Sequence, residues 1–151
     1  MQLITAPQSL SVQHLSIFLA GSIEQDKAER WQDKVIHALS ELELTILNPR
    51  RAAWDDSWKQ SIENIQFKEQ VDWELDALES ADFILIYFDK NTKSPITLLE
   101  LGLFANTNKQ LLVCCPTGFW RKGNVDIVCN RYNIPTFETL EQMIEAIRSY
   151  F

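Results

Sequence analysis

Short apolar runs alternating with helical periodicity predict an α/β protein: a doubly wound, open parallel sheet of about five strands with helices on both faces. Three observations lead there. The run Phe83–Phe88 is continuously apolar, as in a parallel strand covered on both sides. Every other apolar run is short and is followed by polar residues and then by helical spacing, with no repeat, low-complexity tract or linker between them. Finally, 151 residues with 46% hydrophobic and 23% charged side chains suit a single domain with a proper core, here residues 1–151.

Leu15–Ala20 reads as the first strand, followed at once by Gly21-Ser22. Ser22 with Gln25 three residues later resembles a capping box. Ala28, Trp31, Val35, Ala38/Leu39 and Leu42 then recur at helical spacing. Leu44–Leu47 is the second strand, stopped by Asn48-Pro49, and a polar, Trp-containing loop runs from Arg50 to about Gln60. A helix covers Ser61–Glu79, and Phe83–Phe88 is the third strand. Asp89–Ser94 leads into a short helix from about Ile96. Leu111–Cys115 is the fourth strand, closed by Pro116. Thr117–Asp126 reads as a loop, with a weak fifth strand in Ile127–Cys129 or Ile134–Phe137. Thr139 and Gln142 form a second capping box, opening a helix with the stripe Leu140, Met143, Ile144 and Ile147. Sites in such sheets form beyond the carboxyl ends of the strands. Gly21–Glu24, Asn48–Trp58, Asp89–Ser94 and Thr117–Asp126 are therefore the segments to search.

Composition excludes several classes. The net charge of −7 leaves no basic surplus to neutralise a nucleic-acid backbone, so no polymeric nucleic acid is expected as partner. Four glycines, Gly21, Gly102, Gly118 and Gly123, assemble neither a dinucleotide-binding nor a Walker A loop. Cys114, Cys115 and Cys129 form no disulfide framework and no C-x-x-C. With only His14 and His37 besides, neither a metal nor another cofactor is expected. The start, MQLITAPQSLSVQHLS, lacks the pattern of a signal peptide. No apolar stretch is long enough to span a bilayer, so no membrane association is expected and the cytoplasm is the expected address.

Two carboxylates stand out. With Phe67 at zero on a wheel of about 100° per residue, Val71, Leu75 and Leu78 fall between about 20° and 80°, and Glu74 at about −20°. Asp72, Asp76 and Glu79 fall on the far side, so one acid of four faces the core. The helix after the third strand, Ile96–Phe104, reads as apolar nearly all round and hence buried, with Glu100 its only charge. Gly102 leaves space for a close approach. An unpaired buried carboxylate costs several kcal/mol. Each acid alone could pair with a buried cation or cap amides, but two on adjacent helices point to a site. Without metal, nucleophilic Ser/His pair or cofactor loop, two carboxylates can run substitution at an acetal-type carbon, as in a glycosidic or N-glycosidic bond.

The segments SIFLAGSIE (Ser16–Glu24), ILNPRR (Ile46–Arg51), QVDWELDALESADFILIYF (Gln70–Phe88), SPITLLELGLFA (Ser94–Ala105) and GFWRKGNV (Gly118–Val125) resemble the nucleoside 2-deoxyribosyltransferase-like family, over about Leu15 to Asn133. The resemblance implies a flavodoxin-like fold, a homo-oligomer with composite sites and retaining double displacement on a small nucleoside or nucleotide. It makes Glu100 the nucleophile that takes the deoxyribosyl group, and it sets Glu74 where an aspartate of the transferases handles the base. Gly21, Ser22 and Ile23 match the loop that borders the base. The transferases carry an aspartate six residues before the nucleophile; here that position is Ser94, and Asp89 is the nearest acid.

Asn48, Trp54, Asp55 and Asn124 complete the candidate substrate contacts. Trp54, Trp58 and Trp120 are read either as stacking surfaces for a base or as lids over the core. Asp55 and Asp56 are read as sugar or base contacts, or as ordinary turn residues. Asn124 and Asp126 are read as ligand contacts, including from a neighbouring subunit, or as plain loop hydrogen bonding. Arg50-Arg51 and Arg121-Lys122 are candidate phosphate ligands. His37 is read as a surface histidine and Met143 as core. Two alternatives stand beside the transferase: an N-glycosidase hydrolysing a nucleotide or NAD-like substrate, and a non-catalytic nucleotide-binding module.

Overall fold

Six parallel strands form one sheet in the order β1-β3-β2-β4-β5-β6 in the computed structural model, which describes residues 1–23, 30–51 and 57–151. The strands are β1 (Gln2–Thr5), β2 (Ser16–Gly21), β3 (Thr45–Asn48), β4 (Phe83–Tyr87), β5 (Gln110–Cys114) and β6 (Thr136–Phe137). The helices are α1 (Trp31–Ala38), α2 (Ile65–Ser80), α3 (Pro95–Phe104), α4 (Lys122–Arg131) and α5 (Leu140–Arg148). Strands β2 to β6 follow the flavodoxin order, and β1 adds an edge strand beyond β3.

The central strands are buried on both faces because their side chains alternate between two cores. Phe18, Ala20, Ile84, Ile86, Leu111 and Val113 point to a core closed by residues of α2, α3 and α4, including Trp73, Ala77, Leu78, Leu101, Phe104 and Val125. Ile17, Leu19, Phe83, Leu85, Leu112 and Cys114 point to the other, closed by Trp31, Val35 and Leu39 of α1 and by Leu140, Met143 and Ile147 of α5. Among the described residues, three helices on one face and two on the other make the doubly wound arrangement. Among the described residues no helix is long and apolar enough to cross a membrane.

The structure amends the expected elements in four places. The sheet has six strands rather than five, because Gln2–Thr5 pairs with β3 in register Gln2 to Thr45. Thr117–Asp126 is not all loop: Lys122 begins α4, which takes in Ile127–Cys129, so the last strand is the other candidate, at Thr136–Phe137. The Ser22 hydroxyl bonds toward the β4 exit, and the partner expected for it in a capping box falls on residue 25. Gln25 and Ala28 lie outside the described residues. On α2, Leu75 is exposed, and the buried face runs through Gln70, Trp73, Ala77 and Leu78. On α3 only one face is buried, formed by Thr97, Glu100, Leu101 and Phe104, while Ile96, Leu99 and Leu103 are more than half exposed. The capping box at Thr139 and Gln142 forms as expected, and Asn64 caps α2 by accepting from the Phe67 amide at 2.9 Å.

Candidate active site

The order reversal of the sheet falls between β2 and β4: the chain leaves β2 for β3 on one side and returns to β4 on the other. A crevice in such a sheet opens outside the carboxyl ends of those two strands, and there the exits of β2 and β4 are laced together by buried hydroxyls. Ser22 Oγ bonds Ser94 Oγ, Thr92 Oγ1 lies 2.9 Å from Ser22 Oγ and 2.7 Å from Ser94 Oγ, and the Asp89 amide donates to Ser22 Oγ at 3.0 Å. Ser94 holds a left-handed backbone (φ 47°) as it opens α3. That conformation costs a non-glycine residue about 1–2 kcal/mol, which the bonds to its side chain offset.

Gly21 is required by packing. A Cβ there would sit 2.6 Å from the Tyr87 carbonyl oxygen and 2.7 Å from the Trp31 ring. Trp31 stacks at 5.2 Å on Tyr87 and donates from Nε1 to the Ser22 carbonyl at 3.3 Å, which pins the β2 exit onto α1. Gly102, by contrast, faces open space, so no described part of the chain makes the close approach that its missing side chain permits.

Glu74 and Glu100 come together on the sheet face that α2 and α3 cover. Glu100 is buried, and burial first, then the charge of Glu74, pushes its carboxyl up to about 8. No hydrogen-bond donor or cation pairs with it among the described residues. Glu74 is half-buried; burial raises its pKa, opposed by a hydrogen bond from Gln70. Gln70 Nε2 donates to Glu74 Oε1 at 2.8 Å and to the Pro49 carbonyl at 2.8 Å. The carbonyl can only accept, which orients the amide with Nε2 inward. Two acids whose environments hold them above the usual range and whose charges repel share protons as a unit, an arrangement suited to acid–base and nucleophilic work.

Asn48, at the end of β3, accepts from the Arg50 amide at 3.1 Å, a turn-forming bond. Asp89 likewise accepts from the Asn91 amide at 2.8 Å, and Ile23 is half-buried beside Ser22. Asn124 is exposed on the first turn of α4, with no bond to the glutamate pair among the described residues. Trp54, Asp55 and Asp56 lie outside the described residues. Trp58 and Trp120 both stack on cations of this chain: Arg51 lies over Trp58 at 5.2 Å, and Lys93 and Arg121 lie over Trp120 at 4.5 and 4.3 Å. Lys122 is held by Asp126 at 3.2 Å and Glu138 at 3.0 Å, so this candidate phosphate ligand is already paired. His37 is exposed and Met143 fully buried.

Sequence reasoning passed over Gln70 and Thr92. The wheel carried the signal for Gln70: at about −60° it lies on the Glu74 side of the helix, a second polar residue on a buried face.

Fold and site together define a doubly wound α/β protein with a paired-carboxylate site beside its switch point. The family described as nucleoside 2-deoxyribosyltransferase like matches residues 14–119, and the chain belongs to it. A solved structure described as a conserved protein from Enterococcus faecalis V583 is similar in fold, with a TM-score of 0.65 at 12% identity, over 92% of this chain and 100% of that one. Comparison with curated proteins gives no match.

Proposed function

We propose that the protein is an enzyme of N-glycosidic bonds that transfers a 2-deoxyribosyl group between nucleobases by retaining double displacement, with Glu100 as nucleophile. The observation that carries this reading is the Glu100 carboxyl, buried and unpaired among the described residues and raised to about 8 with Glu74 beside it. At neutral pH the Glu100 carboxyl then holds a proton that it shares with Glu74. As a Glu100 oxygen attacks C1′, the C1′–N bond breaks and its electron pair goes to the base. The proton of the pair follows through Glu74, so the base leaves neutral and the sugar stays as an ester on Glu100. An incoming base returns a proton to the pair while its nitrogen attacks C1′ and frees Glu100. Two inversions retain the configuration. Loss of the Glu100 proton stops the first step, so kcat/KM falls as pH rises through about 8.

The same reading makes the protein a homo-oligomer. The helix that carries Glu100 turns Ile96, Leu99 and Leu103 outward on one stripe, with Gly102 open beside them. A second copy is the occupant that suits this face, because the apolar stripe flanks Glu100 on the same helix, and covering it would fix that helix in place. Leu99→Asp with Leu103→Asp lowers the mass measured by light scattering to that of one chain if this is so; an unchanged mass removes the interface.

Chromatography of deoxynucleosides, nucleotides and NAD, each with and without a free acceptor base, tests the activity. A new nucleoside that appears only with acceptor, and is lost in Glu100→Gln, is the expected result. Ser94, where the transferases carry an aspartate, favours a second reading in which water replaces the acceptor base. Release of free base without acceptor would establish that hydrolase. No product from any substrate would leave a nucleotide-binding module.

A further inference from the structure

Gln70 lies on the buried face of α2, one helical turn before Glu74. Its Nε2 carries two hydrogens, and both are engaged: one by the Pro49 carbonyl and one by Glu74 Oε1, each at 2.8 Å. Turning the amide over would set oxygen against oxygen at the Pro49 carbonyl, so the side that meets Glu74 is a donor. Those two bonds leave Gln70 Oε1 buried without a partner among the described residues. An open buried acceptor costs stability, so a polar side chain kept here on those terms serves the groups it holds. The anchor is itself stiff. Proline fixes φ at residue 49, and Asn48 Oδ1 spans it by accepting from the Arg50 amide at 3.1 Å. Asn48 ends β3, so the line from sheet to acid runs Asn48, Pro49, Gln70, Glu74.

Glu74 Oε2 has no bond among the described residues, and Glu100 acts on Glu74 by charge from α3. Of the charged groups next to the tether in the chain, Arg51 lies 3.9 Å from Glu69, and Arg50 is engaged by Gln32 at 3.4 Å. Gln70 is therefore the donor that Glu74 has among the described residues. Resting on the reading of Glu74 and Glu100 given above, we propose that Gln70 is the positioning residue of the glutamate pair. It ties Glu74 Oε1 to the β3 exit and keeps Glu74 the ionised partner, with the shared proton on Glu100. A donor that cannot accept binds a carboxylate more strongly than a carboxylic acid. It opposes the upward push of burial at Glu74 and does nothing against that push at Glu100. With Oε1 held, Oε2 is the oxygen left to relay the proton to the base as the C1′–N bond breaks. Once Glu100 carries the sugar as an ester and the base has taken the proton, Glu74 alone holds the charge of the pair. The Gln70 donor is already in place for that charge.

NMR titration of the glutamate carboxyl carbons tests the tether without turnover. In Gln70→Met, which fills the space but donates nothing, the Glu74 midpoint rises by about one to two pH units. In the wild type the Gln70 side-chain amide protons shift with the Glu74 titration, a reading that needs no variant. The kcat/KM profile reports the same event. Its acid limb, where Glu74 takes up a second proton, moves up by a like amount in Gln70→Met, while the alkaline limb near 8 changes little. Loss of packing alone would lower the whole profile and move neither limb. Circular dichroism confirms that the variant is folded. An unchanged Glu74 midpoint in folded Gln70→Met, wild-type amide protons indifferent to that midpoint, or a profile lowered with its acid limb in place overturns the tether. A shifted midpoint in a protein whose wild type turns over no nucleoside supports the tether and removes the catalytic reading. Turnover by the wild type, with a Glu74 midpoint that Gln70→Met leaves in place, does the reverse.

Discussion

Replacing Glu100 by glutamine keeps the shape of the side chain and removes its proton equilibrium. The carboxyl takes up its proton near pH 8 in the folded protein against an ordinary value of 4.5. The folded state therefore binds this proton more tightly than the unfolded one, and stability falls as pH rises from 4.5 to about 8, then levels off. At about 1.4 kcal/mol per pH unit, the wild type loses about 3 kcal/mol through this group by pH 7 and about 5 kcal/mol above pH 8. Glu100→Gln escapes that loss. It is expected to match the wild type near pH 4.5 and to exceed it by about 3 kcal/mol at pH 7, or about 6–12 °C in Tm for a chain of this size. Urea unfolding followed by circular dichroism from pH 5 to 9 reads the difference directly, since urea adds no ionic screening. A gap between the two proteins that stays flat across this range, or a variant less stable than wild type at pH 8, refutes the claim that Glu100 is a buried, uncompensated acid.

Other consequences are local. Gly21→Ala sets a methyl group against the Tyr87 carbonyl and the Trp31 ring and is expected to lose about 1–3 kcal/mol in urea unfolding. Ser22→Ala removes the acceptor of the Asp89 amide and one corner of the hydroxyl cluster. A loss of about 1–3 kcal/mol is expected, with faster hydrogen exchange at the Asp89 amide. Thr139→Ala breaks the capping box of α5 and lowers stability by about 1 kcal/mol, measured the same way.

How far the sequence could be read depended on what each stretch is packed against. β4 was plain because both its faces are buried, which leaves an unbroken apolar run. β1 was missed because four residues at the sheet edge, one of them fully turned inward, carry too little pattern to separate from a loop. α4 passed for a loop because only Val125 and Cys129 are buried on it, and two glycines precede its apolar residues. α3 was recognised as a helix but misjudged in burial, since composition cannot distinguish a side chain facing its own core from one facing outward. The glutamate pair was legible because charge on an apolar face is conspicuous at helical spacing. The hydroxyl cluster was not: Ser22, Thr92 and Ser94 meet only when the exits of β2 and β4 are brought side by side, and nothing in their spacing of 70 residues announces it.

Both glutamates belong to one uninterrupted stretch, α2–β4–α3, from Ile65 to Phe104. Their separation is governed by two helices docked on the strand that connects them, rather than by segments distant in the chain. Drift at the edges of the sheet can therefore reshape the loops around a substrate while the paired acids remain a heritable unit. Change in the loops and change in the spacing of the two acids can accumulate in different parts of this molecule.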